Sequence, residues 1–188
     1  SLMRSLPNMT VLVPADEEET RQAIAWAADY QGPVYIRLGR MSVDNVSPEG
    51  YVFAPAKAAV LNEGNDVTLI ANGVMVTAAL EAAKTLAVEG IQARVVNMAS
   101  VKPLDAAAVV SAAKETGAIV TCEEHSIIGG LGSAVAEVLA EQAPAPMERV
   151  GVKDTFGESG KPKELLAKYG LTAADVAEAA RRVVARKK

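Results

Sequence analysis

At 188 residues the chain is long enough for one domain with a proper core, or for one domain plus part of another. Half of its residues are apolar, only 4% are aromatic, and Ala and Val supply much of the apolar share, which suits helices packed closely on a parallel sheet. The net charge of −4, with a tail ending RRVVARKK, offers no broad basic surface and argues against nucleic acid as a partner. A single cysteine, Cys122, excludes an internal disulfide framework and agrees with a reducing cytoplasm. No apolar run approaches the roughly 18–20 residues of a membrane helix. The start, SLMRSLPNMT, lacks the apolar core and cleavage site of a signal peptide. A cytoplasmic protein without a membrane partner is expected.

Residues Thr10 to Val13 read as a short strand closed by Pro14. In the following ADEEET, Asp16 is placed as an N-cap with Glu19 three residues on, a capping-box pattern. The helix runs to about Tyr30 and ends at Gly32-Pro33, and a strand from Val34 to Leu38 follows. A βαβ unit of this size cannot cover both faces of a parallel sheet, and Trp26, Ile24, Val34 and Ile36 require a partner surface. SVDNVSPEGYVFAPAK, rich in Pro, Ser, Asn and Asp, reads as an interdomain linker.

Beyond it the pattern is regular. Strands are expected over Ala58–Leu61, Val67–Ala71, Ile91–Asn97, Ala118–Cys122 and Met147–Val152. Helices are expected over about Val74–Val88, Asp105–Glu115, Gly132–Gln142 and Pro162–Tyr169, with a last one capped by Thr172. The alternation predicts a three-layer α/β domain with a mostly parallel five-stranded sheet. The turn Glu63–Asp66 is too short for a crossover, so the strand before it is the antiparallel one.

Motifs for a self-contained active site are missing: there is no P-loop, no GxGxxG after a strand, no GxSxG elbow and no His/Cys cluster with metal-ligand spacing. Three places remain. In EEHSIIGGLGSA, at a strand exit, Glu123, Glu124 and His125 could act as acid or base, and the glycines could admit an anion; equally, they could serve a tight turn and close helix packing. In DTFGESGKPKELLAKYGLT a shaped loop precedes a helix, and Lys161 and Lys163 near the helix start could face an anion or simply water. In GPVYIRLGR, Arg40 falls just past a strand's carboxyl end, where a guanidinium can pair with phosphate or with a neighbouring carboxylate.

PNMTVLVPADEEET, GPVYIRLGR, the spacing through EEHSIIGGLGSAVAE, and DTFGESGKPKELLAKYGLT together resemble the C-terminal part of transketolase. The likeness extends over essentially the whole chain and is to the smaller, C-terminal subunit found where that enzyme is split in two. It implies residues 1–42 as the end of the pyrimidine-binding domain, 43–55 as linker and 56–188 as the transketolase C-terminal domain. It further implies a thiamine-diphosphate- and Mg²⁺-dependent transferase of the pentose phosphate pathway, moving a two-carbon ketol unit between sugar phosphates.

By position, Arg40 is the residue implied to grip the substrate phosphate. The metal-and-diphosphate signature, the glutamate that activates the aminopyrimidine, and the groups handling sugar hydroxyls have no counterpart in this sequence. No catalytic, cofactor-binding or metal-binding residue is therefore assigned, and the chain alone is expected to bind no cofactor and to be inactive. Its partners are implied to be the N-terminal transketolase subunit or domains and further copies of itself. The C-terminal part of 1-deoxyxylulose-5-phosphate synthase and a non-catalytic assembly or regulatory domain are the alternatives.

Overall fold

The computed structural model describes residues 1–187. Its first unit comprises α1 (Leu2–Ser5), β1 (Thr10–Leu12), α2 (Glu17–Asp29) and β2 (Val34–Ile36). Helix α2 starts where its acidic turn predicts: Asp16 accepts a hydrogen bond from the Glu19 N–H at 2.9 Å, and Glu17, Glu18 and Glu19 face the positive end of the dipole. The expected reciprocal bond is replaced by a different one. The Glu19 carboxylate reaches past the cap to the Ala15 N–H at 2.8 Å.

The second unit runs β3 (Ala59–Asn62), β4 (Val67–Ala71), α3 (Met75–Val88), β5 (Ala93–Asn97), β6 (Ser100–Lys102), α4 (Ala106–Thr116), β7 (Ile119–Ser126), α5 (Leu131–Gln142), β8 (Met147–Val152), α6 (Pro162–Lys168) and α7 (Ala173–Val184). Its five-stranded sheet has the order β3-β5-β4-β7-β8, parallel except for β3. Every residue of β4 is buried, as a central strand covered on both faces must be. Leu69 packs with Val76, Leu86, Val176 and Val183 on the α3–α7 side, while Ile70 packs with Val109, Leu131 and Val135 on the α4–α5 side. The alanines expected to allow close packing are here: Ala79, Ala82, Ala177 and Ala180 fill the α3–α7 layer. This is the anticipated three-layer architecture.

The strand β3 is antiparallel, as its short turn requires, but its neighbour is β5 rather than β4. The connecting turn passes over the start of β5, where the Asp66 N–H bonds to the Gln92 carbonyl at 2.9 Å and Asp66 Oδ2 accepts from the Gln92 N–H at 2.7 Å. The passage is so close that a Cβ on Gly64 would collide with the backbone of Ala93 and Arg94.

The first unit finds part of its cover within this chain. Strand β6, where the sequence predicts no strand, leaves the second unit and pairs antiparallel with β1, giving a separate three-stranded sheet in the order β2-β1-β6. Leu12 and Ala23 pack with Phe53 and Ala99, flanked by Trp26, Val34 and Ile36. The expected partner surface for these apolar residues is thus partly supplied by this chain. Ile24, Tyr30, Tyr35 and Leu38 remain exposed, and β2 keeps an open edge.

Residues 43–55 carry no regular structure, yet they are tied along α2. Asp16 Oδ2 accepts from the Val46 and Ser47 N–H groups at 2.8 and 2.7 Å. Gln22 receives the Phe53 N–H and donates to the Tyr51 carbonyl, and the Tyr51 hydroxyl donates to Glu19. Each contact satisfies a group that would otherwise be lost to burial.

Candidate functional site

Strand β2 leaves its ladder earlier than the alternation of 34, 36 and 38 suggests: the last regular pair is Leu12 with Ile36, followed by a 2.9 Å bond from the Arg37 N–H to the Leu12 carbonyl. The side chains beyond this point diverge in role. Both terminal nitrogens of Arg37 lie 3.3 Å from Glu124 Oε2, on β7. Arg40 is exposed, and among the described residues no carboxylate pairs with it. It borders a cavity of about 350 Å³ whose far wall is the 157–162 loop and α6, with Glu158, Leu165 and Tyr169.

The cavity's acidic groups already have partners. Glu124 holds Arg37, and Glu158 holds Lys168 at 2.5 Å. The 154–161 loop is fixed in turn by a bond from the Tyr169 hydroxyl to the Phe156 carbonyl, leaving the Phe156 ring 96% exposed. Lys161 and Lys163 are both exposed, and Lys161 pairs with Glu164 at 3.6 Å. The solvated reading of that lysine-bearing turn therefore has the support.

The EEHSIIGGLGSA segment sends Glu124 away from Glu123 and His125, because β7 continues through it to Ser126 and successive side chains alternate in direction. Glu124 goes to Arg37. Glu123 turns inward, is 3% exposed, and accepts the N–H groups of Leu131 and Gly132 at 2.7 and 2.8 Å. Burial pushes the Glu123 carboxyl above its ordinary value, against the lowering effect of those two amides and of His125. His125 Nδ1 lies 2.7 Å from the Ser126 carbonyl and 3.8 Å from Glu123.

The α5 start is thus filled by the protein's own carboxylate. An anion at the glycine turn would find no free Leu131 or Gly132 amide, and the tight-turn reading of these glycines has the support. Gly130 explains the spacing: a Cβ there would overlap the Glu123 carboxylate.

The position of this carboxylate in the sheet is also informative. Connections leave β4 and β7 in opposite directions, toward β5 and β8, so the gap between their carboxyl ends is the topological switch point where open α/β sheets receive ligands. Beside it lies the residue after β1: the Val13 N–H bonds to the Ala99 carbonyl, beyond β5, at 2.7 Å, and the Gly73 N–H, beyond β4, to the Val13 carbonyl at 3.2 Å. What remains is a cavity of about 210 Å³ bordered by Val13, Tyr35, Asn72, Glu123 and His125. Cys122, the free thiol, is wholly buried, and burial raises it far from reactivity.

The residues present do not suit a metal-bound diphosphate. Among the described residues no group of three or more His, Cys, Asp or Glu is placed to hold a metal. The paired amides at the glycine turn are committed to Glu123. Asp16 and Glu19, buried beside the end of β1, are committed to the Val46, Ser47, Ala15, Tyr51 and Asn97 donors, and Asp105, buried after β6, to the Ala58 and Ala108 amides. Sequence reasoning missed these joints; the one available signal was the Asp16/Glu19 spacing. Among the described residues no helix is long and apolar enough to cross a membrane.

Comparison with known proteins gives this arrangement its class. Residues 1–45 match the transketolase pyrimidine binding domain, and residues 56–176 match the transketolase C-terminal domain. The chain belongs to the transketolase family. It is 49% identical to a 6-deoxy-6-sulfo-D-fructose transketolase subunit of a Clostridium species, over all of this chain and 58% of that protein. It is 42% identical to an apulose-4-phosphate transketolase subunit of Phocaeicola vulgatus, over 91% of this chain and 55% of that one. A 1-deoxy-D-xylulose-5-phosphate synthase of Geobacter sulfurreducens is 40% identical over the whole chain but only 30% of its own length. Among solved structures, a split-gene transketolase described as an inactive beta4 tetramer superposes with a TM-score of 0.96 at 57% identity, covering all of this chain and 61% of that one. The chain therefore spans a little over half the length of these transketolase subunits.

Proposed function

We propose that this chain forms the C-terminal portion of a thiamine-diphosphate-dependent transketolase assembled from separate subunits, with residues 1–42 ending a pyrimidine-binding domain, 43–55 linking and 56–188 forming the C-terminal domain. The enzyme moves a two-carbon ketol unit between sugars that carry a terminal phosphate or a like oxyanion. Thiamine diphosphate and Mg²⁺ are held by parts of the assembly outside these residues, and the chain's own contribution to substrate binding is Arg40. The observation that carries this reading is the Arg40 guanidinium at the carboxyl end of β2, exposed beside an open cavity and without a carboxylate partner among the described residues, while Arg37 is paired.

The names of the relatives support the class and leave the sugar open: one acts on a sulfo-sugar, another on apulose 4-phosphate. The synthase reading is weaker, since the named synthase is less similar than the transketolase subunits. Self-association fits the open β2 edge and the exposed Ile24, Tyr30 and Tyr35, and the tetramer described for the split-gene neighbour points the same way.

Two assays test the reading. These residues alone, given thiamine diphosphate, Mg²⁺ and a ketose phosphate, turn over nothing; measurable activity overturns the division of labour. In the assembled enzyme, Arg40→Ala raises KM for a phosphorylated donor by about tenfold or more, the scale of one charge-assisted hydrogen-bond set. An unchanged KM removes Arg40 as the anchor.

A further inference from the structure

Resting on the reading of Arg40 as substrate anchor, we infer that Arg37 and Glu124 form a positioning pair, through which the C-terminal domain aims Arg40 and keeps its guanidinium free. Among the described residues, residues 38–45 make no backbone hydrogen bond to either sheet, so the placement of Arg40 depends on the two ends of this span. One end is Arg37, bound by its N–H to Leu12 and by its guanidinium to Glu124. The other is the Val46–Ser47 pair of amides on Asp16. Arg40 is three residues from the first anchor, so at most about 10 Å of extended chain separates them and the anchor bounds where Arg40 can lie.

Glu124 is well placed for this task. It lies on β7 where the register against β8 shifts, between the Cys122–Val150 and Ser126–Val152 pairs, and is thus bracketed by sheet pairs on both sides rather than carried on a loop. Charge gives the pair a second role. Glu124 and Arg40 border the same cavity, and Glu124 is kept from Arg40 because Arg37 occupies it. Without Arg37, the Glu124 carboxylate would be left unpaired on the wall of Arg40's cavity, a competitor of the substrate's anion for the Arg40 guanidinium.

This competition makes the idea testable in a way that simple packing would not. The assembled, active enzyme is assayed with a phosphorylated donor and with a phosphate-free ketol donor. A half-exposed ion pair adds little to stability, so these variants fold. Arg37→Ala raises KM for the phosphorylated donor by about tenfold, with kcat and the phosphate-free donor unaffected. Glu124→Gln raises it only about threefold, because position is lost without adding a competitor. The double variant returns to the Glu124→Gln level, a rescue that a purely structural contact would not give.

A normal KM in Arg37→Ala, equal losses for both donors, or a double variant worse than Arg37→Ala overturns the inference. Arg40→Ala separates the two levels. If that variant is impaired while Arg37→Ala is normal, only the positioning role falls. If Arg40→Ala is itself normal, the anchor falls and the inference with it.

Discussion

The two units of this chain are held by different physics. In the second, a fully buried β4 is sandwiched between α3 and α7 on one side and α4 and α5 on the other, and the contacts are almost wholly aliphatic. In the first, a thin apolar cluster around Leu12 and Ala23 is supplemented by buried carboxylates. Asp16 holds the Glu19, Val46 and Ser47 amides, while Glu19 accepts from the Ala15 N–H, the Tyr51 hydroxyl and both contacts of the Asn97 amide. Apolar packing tolerates small rearrangements, whereas a carboxylate with several donors accepts one geometry. The aliphatic unit supplies stability, and the polar seam fixes where the first unit lies upon it.

Leu69→Ala should give the largest effect, since it leaves a cavity beneath both α3 and α7. A loss of about 2–5 kcal/mol is expected by urea unfolding, with the whole chain affected. A loss below 1 kcal/mol, on the order of a surface change, would show that the second unit is not the source of stability.

Glu19→Gln comes next. Its new amide group would face the Asn97 amide or the Tyr51 hydroxyl donor, costing about 1–3 kcal/mol. The cost should appear as protease sensitivity of residues 43–55 rather than as a lower midpoint for the second unit. If the midpoint falls as far as in Leu69→Ala, the division between the units is wrong.

Acid supplies the smallest and most local test. Burial alone would raise the Asp16 carboxyl, but the amides of Glu19, Ser47 and Val46 outweigh it and hold it below the ordinary aspartate value of 3.8. A carboxyl depressed on folding stabilises fully above its unfolded value, and that contribution disappears as pH falls through the lower, folded value. Pepsin should therefore begin to cut the 43–55 segment only below the usual aspartate range. In Asp16→Asn, cutting should occur above that range as well. Cutting of the wild-type chain at the higher pH would remove Asp16 as the clasp.

What could be read in the sequence followed from local rules. The run Val67–Ala71 gave its strand to the residue, Gly117 ended α4 in the left-handed conformation, and Thr172 with Asp175 formed a complete capping box. The family resemblance rested on motifs that the structure brings to the two faces of one cavity, GPVYIRLGR on one wall and the Asp154–Thr172 segment on the other. What could not be read depends on distant partners. Strand β6, near the middle of the chain, has one apolar residue, and its ladder is formed with β1 near the start. Arg37 meets a glutamate 87 positions away. Neighbouring Glu123 and Glu124 have unrelated tasks because the strand unexpectedly runs on through them.

The way Val13, just after β1, sits beside the carboxyl ends of β4 and β5 has one more outcome. A berth that open α/β sheets leave free for visiting metabolites is here narrowed on one side by the chain itself. A molecule larger than the cavity of about 210 Å³ that is left beside Val13 could enter only by displacing that residue, whose amide and carbonyl bonds to Ala99 and Gly73 join the two units.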